Sequence, residues 1–234
     1  MEAIILAGGR GTRLQSVVPD LPKPMAPING RPFLTYQLDY WIKQGVLRFI
    51  LSVGYKRDAI QDYFKDRYKG IEIVYAVEEQ PLGTGGGLLL ALERIKNPSP
   101  FLVLNGDTFF EVDLEKLKSF HLEKKADLTM ALLEVAENSR YGGVQLGEGE
   151  RIVAYRGISN PSNRLINGGV YLFEKGALSD EWIPGSALSL EDQLFPVLLQ
   201  SGSRVYGFKS AGRFIDIGIP DDYYASALML GEID

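Results

Sequence analysis

The chain contains no cysteine, which excludes disulfides, zinc–thiolate centres and cysteine nucleophiles. It has one histidine, His121, and no Ser-His-Asp or Cys-His arrangement for covalent catalysis forms around it. His121 falls in a mostly polar helical stretch, 114–125, and reads as a surface residue without a role. No apolar run approaches the roughly 20 residues needed to span a bilayer; Leu88 to Leu92 is typical of the longest. The start, Met1-Glu2-Ala3-Ile4-Ile5-Leu6, lacks a basic n-region and reads as a buried strand, so a cytoplasmic location is expected. Basic charge is not in excess either: 25 Lys and Arg against 30 Asp and Glu leave a net charge of −5. That argues against a general nucleic-acid binder, which needs a basic surface. It leaves room for a phosphate ligand, which needs only a few local cations. No repeat, low-complexity tract or linker interrupts the chain, and one domain over residues 1–234 is expected.

What is present is an ordinary globular composition, 45% hydrophobic, with a clear order of elements. Strand patterns over 3–7, 48–53, 71–77 and 101–104 alternate with helical patterns after Pro32 up to Gly45, over 58–68 and over 83–95. Such alternation is the mark of βαβ units and a parallel sheet. The second half is richer in strands, at 128–135, 144–146, 152–155, 165–173 and 205–208, with helices at 188–199 and 220–230. A mixed sheet, parallel at first with antiparallel additions, fits this order. Ser189 reads as the N-cap of the 188–199 helix with Asp192 as its capping-box partner, and Asp221 and Asp222 as first-turn acids of the last helix.

The most informative stretch is Leu6-Ala7-Gly8-Gly9-Arg10-Gly11-Thr12-Arg13-Leu14, followed by Pro22-Lys23-Pro24. Glycines directly after a buried strand let the backbone approach a phosphate and offer it N–H groups. Arg13 and Lys23 bring the positive charge that a triphosphate requires. A P-loop is excluded because no Gly-Lys-Ser/Thr occurs. The dinucleotide fingerprint fails too, with Leu14 at its third glycine and no acid at Val53-Gly54.

GGRGTRL, then PKP, then Leu82-Gly83-Thr84-Gly85-Gly86, then Asn105-Gly106-Asp107, and finally Phe214-Ile215-Asp216-Ile217-Gly218 resemble the sugar-1-phosphate nucleotidyltransferases over nearly the whole chain. Within that family the motifs look most like the guanylyltransferases acting on heptose 1-phosphate. The resemblance implies an α/β fold: a Rossmann-like three-layer sandwich with a mixed, mostly parallel central sheet, of the nucleotide-diphospho-sugar transferase type. It implies GTP and a sugar 1-phosphate as substrates, and Mg²⁺ held by Asp107 and Asp216, with Arg13, Lys23 and Asp107 catalytic. Asp107 stands just past a strand end, where open α/β sheets bind ligands. Asp216 lies in an apolar stretch, a costly place for an unpartnered charge. The plain alternative is that each acid caps a turn.

By the same resemblance, Leu6, Ala7, Gly8, Gly9, Gly11, Thr12 and Arg13 form the nucleotide pocket with Gln80, Gly83, Thr84, Asn105 and Gly106. An amide such as Gln80 suits a base edge but serves pyrimidines as well as guanine. Gly143, Asn167 and Gly168 are expected at the sugar, Asn167-Gly168-Gly169 because glycine inside a strand marks a close approach. A β-bulge without a ligand would explain such glycines equally well. The family's usual Glu-Lys pair after this strand position is missing: the chain reads Tyr155-Arg156-Gly157-Ile158-Ser159. Arg156, or else Arg164, is then the candidate for the sugar's phosphate. A mannose or glucose 1-phosphate enzyme using GTP or UTP, and a nucleotide-sugar-binding regulator without catalysis, stay open as alternatives. A homodimer contact through Tyr223 and Tyr224 is also left open.

Overall fold

The structure is a computed structural model describing residues 1–97, 100–136, 143–155, 164–178, 182 and 185–231. It opens with β1 (Glu2–Ala7), a long loop, and a small hairpin of β2 (Pro27–Ile28) and β3 (Arg31–Pro32). Next come α1 (Phe33–Lys43), β4 (Arg48–Val53), α2 (Arg57–Phe64), β5 (Arg67–Tyr68), β6 (Ile71–Val77), α3 (Gly83–Leu92) and β7 (Phe101–Asn105). β8 (Thr108–Phe110), α4 (Leu114–Glu123), β9 (Leu128–Glu134), β10 (Val144–Leu146), β11 (Ile152–Tyr155) and β12 (Leu165–Phe173) follow. The chain closes with a π-helical stretch at Leu190–Leu194, α5 (Phe195–Gln200), β13 (Val205–Lys209), β14 (Phe214–Asp216) and α6 (Pro220–Gly231).

Eight strands form one sheet in the order β13-β9-β12-β7-β1-β4-β6-β5. Only β12 and β5 run against the others, so the sheet is mixed and mostly parallel, as expected. Both faces are covered. Leu34, Leu38 and Trp41 of α1, Ile60 and Phe64 of α2 and Leu117 of α4 pack on one face. Leu88 and Ala91 of α3 and Phe195 and Leu198 of α5 pack on the other. This is why β1 reads as a continuous apolar run: Ile5 joins the first layer and Ile4 the second, both fully buried. Four parallel strands, β1, β4, β6 and β7, therefore deliver their carboxyl ends to one edge. A two-stranded ribbon of β8 and β14 lies there, seated on Phe33, Leu14 and Leu230.

Several expectations are corrected. The helix read over 58–68 stops at Phe64, because Lys65 takes a positive φ of 51°. Lys69 and Gly70, both at positive φ, then turn β5 back onto β6, a combination suited to a tight hairpin. The helix read over 188–199 is a π-helical stretch followed by α5, with Pro196 in the first turn. Ser189 does cap it, accepting from the Asp192 N–H at 3.0 Å. The reciprocal bond from the Ser189 N–H goes to Gln193 Oε1 at 2.8 Å, not to Asp192. His121 is not a surface residue: it is 1% exposed, with Nδ1 2.8 Å from Thr129 Oγ1 and Nε2 3.5 Å from Glu174. Tyr223 is half-buried and donates to the Pro27 carbonyl at 2.7 Å, leaving Tyr224 as the exposed member of the pair.

Candidate active site

The converging strand ends enclose a cleft of about 620 Å³. Its floor is Leu6 to Gly9 and Gly11 at the end of β1, and Asn105, Gly106 and Asp107 after β7; Gln80, Gly83 and Thr84 line its side. Parallel pairing sets this neighbourhood, since β1 and β7 run in register with Leu6 beside Asn105. Gly106 must be glycine here, because a Cβ would sit 2.5 Å from the Leu6 carbonyl oxygen. Lys23 lines the cleft; Thr12 and Arg13 sit in the exposed loop beside it and do not.

Lys23 is mostly buried, and its Nζ donates to Asp107 Oδ2 at 2.7 Å. Asp216 arrives from the far end of the sequence because β14 pairs with β8, placing Asp216 opposite Thr108, next to Asp107. The Ile217 N–H also donates to the Asp107 carbonyl at 3.0 Å. Burial, and then the charge of Asp107, push the Asp216 carboxyl up to about 6, against the pull of Lys23 and Arg13. Arg13 therefore stands within electrostatic reach of Asp216 without entering the cleft lining. Among the described residues no group of three or more acidic or histidine ligands gathers anywhere.

Residues not anticipated from sequence also line the cleft. Glu78, at the end of β6, is buried: Oε1 accepts from the Ser52 hydroxyl at 2.9 Å and Oε2 from the Leu82 N–H at 3.1 Å. A Cβ on Gly8 would come within 2.1 Å of Glu78 Oε1, so glycine there makes room for the carboxylate as well as for a ligand. The signal was available: an acid directly after a parallel strand stands where ligands bind, but at the third strand and not the second. Glu191 accepts from the Thr84 hydroxyl at 2.7 Å and joins the cleft wall from a segment 107 residues away. Tyr55 and Arg57, after β4, complete the mouth, with Arg57 3.1 Å from Glu79.

Residues 2–232 match the nucleotidyl transferase family model. The chain belongs to that family. It is 47% identical to D-glycero-alpha-D-manno-heptose 1-phosphate guanylyltransferase of Aneurinibacillus thermoaerophilus, covering 95% of each chain. A protein of the same name from Campylobacter jejuni is 42% identical, over 96% of this chain and 97% of the relative. Among solved structures, HddC from Yersinia pseudotuberculosis complexed with GMP-PN superposes with a TM-score of 0.85 at 37% identity, covering 97% of this chain and 98% of that one. The resemblance read from GGRGTRL, PKP and NGD thus holds at the level of family and fold.

The residues expected at the sugar lie differently from the nucleotidyl transferase motifs. Gly143, Asn167 and Gly168 are not in the cleft lining. Gly143 bridges Ile166, and β12 shifts register between Asn167 and Tyr171, so a bulge is present. Asn167 is occupied within it: Nδ2 donates to Tyr155 at 3.1 Å and Tyr171 at 2.8 Å, and Oδ1 accepts from the Gly169 N–H. Gly168 is required by packing, since a Cβ would meet Phe110 Cδ1 at 2.3 Å. Arg164 is exposed just before β12 and does not line the cleft; Arg156 lies outside the described residues, as do Tyr141 and Gly142.

Proposed function

We propose that this protein transfers GMP from GTP to D-glycero-α-D-manno-heptose 1-phosphate, giving the GDP-sugar and pyrophosphate. The observation that carries the reading is one cleft where the glycine-rich backbone after β1, Lys23 and Asp107 meet, with Asp216 alongside Asp107. Two guanylyltransferases of that name, similar over almost their full lengths, support the choice of substrates.

The acid pair suits Mg²⁺, which takes one or two carboxylates and completes its shell with phosphate oxygens and water. Bound there, the ion would neutralise and align the triphosphate. Asp107 and Asp216 would hold it, and Lys23, whose ammonium lies on Asp107 at the cleft, is placed to donate to a phosphate oxygen of the bound nucleotide. N–H groups of Gly8, Gly9 and Gly11 cradle the phosphates. A phosphate oxygen of the sugar 1-phosphate then attacks the α-phosphorus in line, and pyrophosphate leaves. That nucleophile is anionic at neutral pH, so no general base is needed and the site's work is alignment and charge neutralisation. We assign the sugar's phosphate to Arg156 on charge and sequence position, with Arg164 the alternative.

Glu78 supports guanine better than Gln80 does. It is buried in the cleft wall, and a carboxylate accepts from both the N1–H and the N2 amine of guanine, whereas Gln80 is exposed at the rim. The test is pyrophosphate release across four NTPs and several sugar 1-phosphates. Release with GTP and the heptose 1-phosphate is expected. Release with UTP alone would remove the guanine assignment, and no release with any pair would end the enzyme reading.

A further inference from the structure

We infer that Gln37 is a positioning residue that fixes the turn presenting Asp107 and, through the neighbouring ribbon, its spacing from Asp216. This rests on the reading of those two acids as the metal pair. Gln37 stands on α1, beneath the cleft, and is 1% exposed. Its Nε2 donates to the Asn105 carbonyl at 2.9 Å and to the Thr108 carbonyl. Those are the residues on either side of Gly106-Asp107, so one amide group spans the turn from below. Carbonyls only accept, which fixes the amide with its nitrogen toward the turn.

Two further facts separate this arrangement from ordinary packing. Gln37 Oε1 is buried without a hydrogen-bond partner among the described residues. An orphaned buried acceptor is a cost, so an apolar side chain of similar volume would fill the same space without it. What the amide adds is the pair of bonds to the turn. Thr108 is also the residue opposite Asp216 in the β8–β14 ribbon, so holding its carbonyl ties both carboxylates to α1. The Leu6 carbonyl, accepting from the Gly106 N–H at 3.0 Å, and the Ile217 N–H, on the Asp107 carbonyl, hold the turn from other directions. Gln37 is the support contributed by the helical layer.

The test is Gln37→Met, which keeps volume and removes both donated bonds. Mn²⁺ binding to the free protein is read by electron paramagnetic resonance, beside thermal unfolding and steady-state constants. We expect the Mn²⁺ dissociation constant to rise and kcat to fall, each by roughly tenfold, as for other residues that orient metal ligands. KM for GTP should stay unchanged. A folded variant with normal Mn²⁺ affinity and kcat, whatever its melting temperature, overturns the inference. Should Gln37→Met not fold, Gln37→Glu is read by the same measurements, since it keeps the shape and loses the amide donors. Asp107→Asn is the control: if it too binds Mn²⁺ normally, the metal reading fails, independently of Gln37.

Discussion

Along β1, β4, β6 and β7 the cleft residues stand where strands end, whereas along β12 the expected sugar residues stand in mid-strand at a bulge. At a strand end the backbone leaves the ladder, so its N–H groups and the next side chain are free to face a ligand. Glycine there has a direct use: Gly8 admits the Glu78 carboxylate and Gly106 lets two strand ends touch. In mid-strand a glycine can equally serve the fold, and Gly168 does, because Phe110 fills the space its side chain would need. The same residue type therefore signals a ligand in one half of the sheet and packing in the other.

Asp107→Asn tests the strand-end side of this contrast with the largest expected effect. Turnover should fall by a factor on the order of 10² to 10³. Stability should change by about 1 kcal/mol or less, since the carboxylate is part-exposed and its ion pair among the described residues is with Lys23. Near-normal kcat in pyrophosphate release would take Asp107 out of the reacting site. Glu78→Gln comes next: kcat/KM for GTP should drop roughly 10²-fold, with UTP gaining relative to GTP. An unchanged GTP-to-UTP ratio would return the base-reading role to Gln80.

What was legible follows the range of the interactions. The glycine loop, the strands read over 3–7, 48–53, 71–77 and 101–104 and the Asp221–Asp222 first turn are local patterns, and each stands where the sequence pattern puts it. Asp216 was found by motif, but its reason for being near Asp107 is the β8–β14 ribbon, formed by segments about a hundred residues apart. Glu191 and Gln37 act on residues 107 and 68 positions away, contacts that no local pattern specifies. His121 reads as a surface residue because the 114–125 stretch is mostly polar, yet with Leu114 and Leu117 it shares the face of α4 that packs inward. Helix 58–68 was overextended because Lys65 adopts a conformation that favours no lysine on its own.

The mid-strand side is tested by Gly168→Ala. The added methyl meets Phe110, which is buried and cannot retreat, so a loss of about 1–3 kcal/mol of stability in urea unfolding is expected. KM for the sugar 1-phosphate should be little changed in the folded fraction. A raised KM at full stability would mean that Gly168 touches sugar after all.

The smallest effect concerns pH and again sets the cleft edge against the rest of the sheet. Asp216, in the cleft region, has its carboxyl raised to about 6, above its unfolded value of 3.8. The folded state therefore binds a proton first, and this residue contributes stability as pH falls from 7 towards 4. His121 touches Thr129 near the amino end of β9, at the opposite edge of the sheet. Burial holds its pKa below the ordinary 6.5, against the pull of Glu174. The unfolded state then binds the proton first, so its contribution is present at neutral pH and is lost as pH falls through the unfolded value, levelling off below the folded one. Urea unfolding at pH 7.5 and 5.5 separates the two. His121→Gln should lose less stability on acidification than the parent protein. Asp216→Asn should lose more. If both variants shift in the same direction, burial at these two edges does not govern their protons as the geometry requires.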